Sequence, residues 1–266
     1  MSASNDRVGQ LFLRYALPLA GLRRVPVLGS FVRWASEKIV PRDSLAWVQI
    51  RHGAAKGLWL RLNPRTGGNY FQGGGEPEVQ TAMRRHLRPG MTFYDIGANI
   101  GFFSLLAARI IGPEGRVVAF EADPEVAQRL RNHVERNHFA TISIEQKAVW
   151  SETRPVFFAR TDPETSPDRG LGHVVAGSAA SAIRVQATSL DDFLQTSPAP
   201  DFLKCDVEGA EVAVFSGAKR LLKEIRPILL CEIHSEENRR VLLEEFIRRG
   251  YKCESLSQNH ILALQE

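Results

Sequence analysis

The sequence predicts an α/β fold: one mostly parallel, doubly wound sheet with helices between its strands. Three observations predict it. From residue 92 onward, short β-prone runs alternate with helix-length amphipathic stretches. The first of those runs ends in a glycine-rich turn that leads into a helix. After the last helix, two short strands follow with only a tight return between them.

Thr92–Ile96 reads as the first strand, ending in Gly97, and Phe102–Ile111 as a helix stopped by Gly112-Pro113. Arg116–Glu121 is the second strand, and Pro124, which suits a first helical turn, opens a helix to about His138. Ile142–Val149 is the third strand, and crossovers of this kind are right-handed. Residues 161–181 are rich in Gly, Pro and Ser and predict a mobile loop. Its β-prone flanks, Pro155–Ala159 and Ile183–Val185, make a hairpin-like insertion at about 151–190. Phe202–Asp206 is the fourth strand, followed by a helix over Ala210–Leu222. A fifth strand at Pro227–Ile233 and a helix over Glu236–Arg249 come next. Tyr251–Glu254 and His260–Leu264 form the terminal pair of strands.

At 266 residues, 44% hydrophobic and 24% charged, this is an ordinary globular composition with enough chain for a substantial core. The charge is divided. Residues 1–90 carry 14 Lys/Arg against 5 Asp/Glu, a net of +9, and the remaining 176 carry 20 against 25, a net of −5. An acidic main domain argues against a nucleic-acid groove across it. Residues 1–69 read as a basic arm, broken by Pro18 and Pro26, and a small hairpin over 45–62 turning near His52-Gly53. Residues 70–266 form the main domain. The arm suits packing across its own domain, or peripheral contact with an anionic membrane. Cys205, Cys231 and Cys253 show neither CxxC pairing nor metal-ligand spacing and read as buried thiols in a reducing compartment. No signal-peptide pattern and no apolar run of ~20 residues is visible, so the sequence predicts a cytoplasmic protein, peripheral at most.

The glycine-rich turn is Asp95-Ile96-Gly97-Ala98-Asn99-Ile100-Gly101. Dinucleotide sites use G-x-G-x-x-G to bring backbone against a pyrophosphate. Here the glycines are four apart and an acid precedes them. No Gly-Lys-Ser/Thr follows, which excludes a P-loop. Asp95 would repel a pyrophosphate but suits the α-ammonium of S-adenosylmethionine (SAM). Gly97 and Gly101, with Ala98 and Asn99 between them, would let the backbone pass close to the methionine part. N–H groups at the helix start could receive its carboxylate. Glu121, 24 residues after Gly97, ends the second strand and would accept both ribose hydroxyls. Ala148, at the end of the third strand, would meet the adenine edge. NAD stays open as the competing nucleotide.

Three blocks, Asp95–Ser104, Phe120–Pro124 and Lys204–Glu211, resemble the FkbM-type family of SAM-dependent O-methyltransferases, supported by Thr188–Asp192 and Cys231–His234. The run Asp-Val-Glu-Gly-Ala-Glu at Asp206–Glu211 is the most specific part, and the resemblance spans about residues 70–264. It implies the class I methyltransferase fold, a Rossmann-like sheet of seven mostly parallel strands with the last antiparallel. It also implies methyl transfer to a hydroxyl of a sugar, glycan or sugar-bearing natural product. Where the family tends to show Gly-x-Tyr-Glu-Pro, this chain has Gly74-Gly75-Glu76-Pro77, without the tyrosine.

Ligands of open α/β sheets bind beyond the carboxyl ends of the strands. Lys204 and Asp206 share one face of the fourth strand, and Glu232 and His234 one face of the fifth. Neighbouring strands would bring Asp206, Glu208, Glu232 and His234 together. His234 alone among them has an unperturbed pKa near neutral, so it is the candidate base. Asp206 could steady the sulfonium or orient the acceptor, with Glu208 beside it. Glu232 is expected to pair with Lys204 across the strands. Asp206, Glu232 and His234 could instead hold Mg²⁺, lowering the pKa of the acceptor hydroxyl. His173 and Ser181, in or beside the loop, are candidate acceptor contacts, against the plainer role of solvated loop residues. Two other classes stay open, a nucleotide-dependent oxidoreductase and a non-catalytic SAM-fold scaffold. The sequence sets no oligomeric state.

Overall fold

The computed structural model describes residues 45–63, 66–160, 172–175 and 182–265. The basic arm, Ser181 and most of the predicted loop lie outside them. The chain divides into a unit ending at Gly75 and a larger one beginning at Glu76. In the first, β1 (Ala46–Gln49) and β2 (Trp59–Leu62) pair antiparallel with Gln49 opposite Trp59, giving the predicted hairpin, and α1 (Gly68–Gln72) follows. Among the described residues no helix is long and apolar enough to cross a membrane.

The larger unit opens with α2 (Pro77–His86), β3 (Thr92–Ile96), α3 (Phe102–Ile111), β4 (Arg116–Phe120), α4 (Pro124–Asn137) and β5 (Ile142–Glu145). The insertion holds β6 (Ala148–Val149), β7 (Pro155–Ala159), β8 (His173–Val175) and β9 (Ala182–Thr188), and α5 (Leu190–Phe193) follows. Then come β10 (Phe202–Cys205), α6 (Glu211–Ser216), β11 (Ile228–Glu232), α7 (Glu236–Arg248), β12 (Tyr251–Ser255) and β13 (His260–Gln265).

The main sheet has seven strands in the order β5-β4-β3-β10-β11-β13-β12. Neighbours from β5 to β11 are all parallel, and β13 runs antiparallel to both of its neighbours. This is the class I methyltransferase arrangement, with the antiparallel last strand wedged between β11 and β12. The chain steps outward from β3 to β5 and then returns to β10 on the other side of β3. The topological switch, where open α/β sheets leave a crevice, therefore lies between β3 and β10. Helices on both faces bury these strands, which explains a fully buried run such as Phe202–Cys205.

Three elements depart from the sequence expectation. The strand expected over Ile142–Val149 is two: Lys147 N–H bonds the Glu145 carbonyl at 2.8 Å, a tight turn that ends β5. β6 then joins a second sheet of order β6-β9-β7-β8. Ala148 faces a small cluster with Ala122, Val156 and Ala187, while Val149 faces the main core. Period-two alternation lets so short a strand serve both. Within the insertion, β7 and β9 are the expected antiparallel pair, but His173–Val175 adds a strand where composition predicts loop. The helix expected over Ala210–Leu222 ends at Ser216, capped by Gly217, which packs against the Trp150–Ser151 backbone too closely for a side chain. A single π-helical turn, Leu221–Ile225, follows.

Candidate active site

β3 carries Asp95 and Gly97 to the switch point. Gly97 has φ +76°, and a Cβ there would overlap the Asp206 carbonyl oxygen. Gly101, at φ +87°, leaves room for Leu130 of α4. At both positions the space a Cβ would take is filled by protein. Asn99 also sits in the left-handed region, φ +50°, with its Oδ1 accepting the Ile100 N–H at 2.7 Å. Asp95 is almost wholly buried. Its Oδ2 accepts the Ser104 hydroxyl at 2.5 Å, and its Oδ1 has no hydrogen-bond partner among the described residues. Burial pushes its pKa up, against the pull of Lys204.

Glu121 ties the turn to the end of β4. Its two oxygens accept the backbone N–H groups of Asn99 and Asp123, each at 2.8 Å. Burial nevertheless pushes its pKa up to about 7. Asp123 caps α4 and is held by Arg160, just beyond β7, with Nε at 2.7 Å from Oδ2. Ala98 is buried, with its N–H on the Phe120 carbonyl at 2.8 Å. Ala148 is brought beside Ala122 by β6 rather than by the end of β5.

Beyond β10 and β11, the four residues expected to meet do so. His234 Nε2 lies 3.4 Å from Glu208 Oε2, 3.8 Å from Glu232 Oε1 and 4.0 Å from Asp206 Oδ1. Its Nδ1 lies 2.7 Å from Glu211 Oε1. Glu211 is fully buried in the first turn of α6 and also accepts the Gly209 N–H and the Asn238 amide, both at 2.8 Å. The Glu211 hydrogen bond, helped by the Glu208 and Asp206 charges, outweighs desolvation and holds the His234 pKa up at about 9. The ring, near neutral when unperturbed, is thus an imidazolium at pH 7 in the free protein. Burial raises the Asp206 and Glu208 carboxyls.

The expected Lys204–Glu232 pair does not form. Lys204 Nζ bonds Asp206 Oδ2 on its own strand at 3.0 Å and lies over the Phe103 ring at 4.8 Å. The register explains this: across β10 and β11 Lys204 is opposite Leu230, while Glu232 is opposite His260 of β13. His260 Nε2 faces Glu232 Oε2 at 3.5 Å and Glu76 Oε2 at 3.2 Å.

Asp206, Glu232 and His234 each offer one ligand atom within 4.8 Å of the others, and so do Glu76, Glu232 and His260. His173 is exposed on β8. Glu211, His260, Glu76 and Arg160 were missed by sequence reasoning. Glu211 was the third carboxylate of a block already singled out, and pairing the terminal strands against β11 could have found His260. Glu76 lay in the Gly74–Pro77 run set against the family pattern, without a role, and nothing local marks Arg160.

The family model for the methyltransferase FkbM domain matches residues 95–253. The chain is 27% identical over 164 residues to the hexuronic acid methyltransferase AglP of Haloferax volcanii, covering 60% of this chain and 63% of that protein. It is 28% identical over 140 residues to an arsenite methyltransferase of Halobacterium salinarum, covering 50% of this chain and 34% of that one. It thus spans less than two thirds of the length of each of these relatives. The crystal structure of methyltransferase FkbM from Methylobacillus flagellatus KT is 18% identical with a TM-score of 0.49, covering 75% of this chain and 53% of that one. The family match takes in well over half of the chain, from the Asp95 turn past His234, and on that match the chain belongs to the methyltransferase FkbM domain family.

Proposed function

We propose that this protein is a SAM-dependent O-methyltransferase acting on a hydroxyl of a sugar, glycan or sugar-bearing natural product. The observation that carries the reading is His234, held by Glu211 and ringed by Asp206, Glu208 and Glu232 at the carboxyl edge that also carries the Asp95–Gly101 turn. SAM supplies an activated methyl group. Asp95 Oδ1, buried with no hydrogen-bond partner among the described residues, would suit the α-ammonium. Gly97, Ala98, Asn99 and Gly101 would carry the backbone past the methionine part, Glu121 would accept the ribose hydroxyls, and Ala148 would border the adenine. In its neutral form His234 would take the acceptor proton at Nε2, with Glu211 fixing the ring through Nδ1. Asp206 and Glu208 orient the acceptor. Similarity to a hexuronic acid methyltransferase supports a sugar.

The test is transfer of a labelled methyl group from SAM into fractionated cell extract. Label should enter a carbohydrate-bearing fraction. If no fraction accepts it while S-adenosylhomocysteine still binds, the scaffold reading stands instead; binding of NAD in its place would favour an oxidoreductase.

Cofactor binding should also depend on pH. Glu121 must be ionised to accept two hydroxyls, and its carboxyl sits at about 7. Calorimetric affinity for S-adenosylhomocysteine should therefore fall about tenfold for each pH unit well below 7. In Glu121→Gln, where one acceptor becomes a donor, binding should be weak at every pH.

A second reading rests on the convergence of Asp206, Glu232 and His234. These residues could hold Mg²⁺, which would lower the pKa of the acceptor hydroxyl. Turnover lost to EDTA and restored by Mg²⁺ is its expected signature, and full turnover in EDTA removes it.

A further inference from the structure

Arg160, just beyond β7, reaches the end of β4 and grips Asp123 with two nitrogens of its guanidinium. Nε lies 2.7 Å from Oδ2, and Nη2 lies 3.1 Å from Oδ1. Asp123 is nearly fully buried, and the same Oδ1 accepts the Glu125 and Val126 N–H groups that open α4. Its own backbone N–H is one of the two that hold Glu121, donating to Oε1 at 2.8 Å. Arg160 is thus joined through a single residue to the carboxylate assigned to the ribose. We infer that Arg160 is a positioning residue for the cofactor: it holds Asp123 so that the Asp123 N–H keeps Glu121 aimed at the ribose hydroxyls.

The strand that delivers Arg160 explains where it lands. β7 alternates, so Val156 and Phe158 share one face, and both pack in the small cluster with Ala122 and Ala148. Arg160 is the next residue in that alternation and meets Asp123, the residue after Ala122. A guanidinium presents a rigid fork that matches a carboxylate, which a lysine does not reproduce. Nη2 also lies 2.7 Å from Glu125 Oε1, but Glu125 is more than half exposed, and an ion pair open to water contributes little. The Asp123 side chain is only 3% exposed, so its pair with Arg160 is the one that fixes geometry. The α4 cap does not do this alone, because the first-turn N–H groups bind Oδ1, whereas Oδ2 is held by Arg160. Without Arg160 a nearly buried carboxylate loses its cation, which is costly. Asp123 then turns toward water, and the N–H that it offers Glu121 turns with it.

Arg160 acts this way only if Glu121 takes the ribose hydroxyls, so its role rests on the cofactor half of the proposed function. No acceptor is needed to test it. The full chain is titrated by calorimetry with S-adenosylhomocysteine and with its 2′,3′-dideoxy counterpart, which lacks both hydroxyls. The unaltered protein should bind the first about tenfold or more tightly, as hydrogen bonds to a charged group require. Arg160→Gln should weaken S-adenosylhomocysteine about three- to tenfold and leave the dideoxy ligand within about twofold, because only the hydroxyl contact is misaimed. Asp123→Asn keeps a capping oxygen for α4 but not the charge that Arg160 grips, so it should have the same effect. The double variant should lose little beyond either single one. Should Arg160→Gln not fold, Arg160→Lys, which keeps the charge without the fork, carries the same test with a smaller loss. An equal loss for both ligands means that Arg160 supports the pocket as a whole, and no loss for either means that the cap holds Asp123 unaided. Each of these overturns the inference and leaves the proposed function standing. If the unaltered protein binds the two ligands alike, the Glu121 contact itself fails, and the role of Arg160 falls with it.

Discussion

Gly97→Ala is expected to destabilise the protein by about 2–5 kcal/mol, among the largest single-residue effects in the chain. Two costs add. A left-handed φ of +76° costs any L side chain about 1–2 kcal/mol. The new methyl would also overlap the Asp206 carbonyl oxygen, which is backbone and cannot rotate away, and overpacking of that kind adds about 1–3 kcal/mol. In a domain of this size that lowers the melting temperature by roughly 10 °C. Gly90→Ala is the control. Gly90 has φ +84° but open space where a Cβ would point, so it carries only the backbone cost. Equal losses in the two variants, measured by thermal or urea unfolding, would show that β3 and β10 do not close on each other at Gly97. The methyl also pushes on the segment that carries Asp206, so S-adenosylhomocysteine affinity should fall with stability.

His234→Ala should lower methyl transfer by about 10²–10⁴-fold, the range for loss of a positioned base, while S-adenosylhomocysteine affinity changes less than about threefold. The pH profile carries more information. A base must be neutral to accept a proton, and Glu211 holds His234 at about 9. The value of kcat/KM, measured with the accepting fraction, should therefore rise with pH up to about 9. Glu211→Gln removes the largest contribution to that upward shift, so the rising limb should move toward 6.5 while the maximal rate drops. A limb that stays in place in Glu211→Gln would mean that another group, Glu208 or Asp206, takes the proton.

Both predictions join residues that were legible in the sequence to contacts that were not. The Asp95–Gly101 turn, Glu121 and the Asp206–Glu211 block could be read because strand ends and glycine turns are local and sit where the αβ pattern puts the crevice. Asp206, Glu208, Glu232 and His234 were predicted to meet because side chains two apart share a strand face, and they do. The Lys204–Glu232 pair failed on register: one two-residue step along β11 set Leu230 opposite Lys204 and left Glu232 to His260. The split of the third strand at Gln146-Lys147 was invisible because both halves are equally β-prone, and only the second sheet gives Ala148 and Val149 a partner.

What the sequence determined by itself is the order of elements, the glycine turn at the switch point and the identity of Asp206, Glu208 and Glu232 as carboxylates around one histidine. These follow from spacing along the chain, and spacing is a property of the chain alone. The tertiary structure decided which groups pair and what those pairings do to proton affinity. It gave Gly97 to the Asp206 backbone, set Glu211 behind His234 to hold it as an imidazolium, and placed His260 behind Glu232. The physical reason is that desolvation and Coulomb interaction depend on distances of a few ångströms between residues far apart in sequence, and only the packed sheet sets those distances.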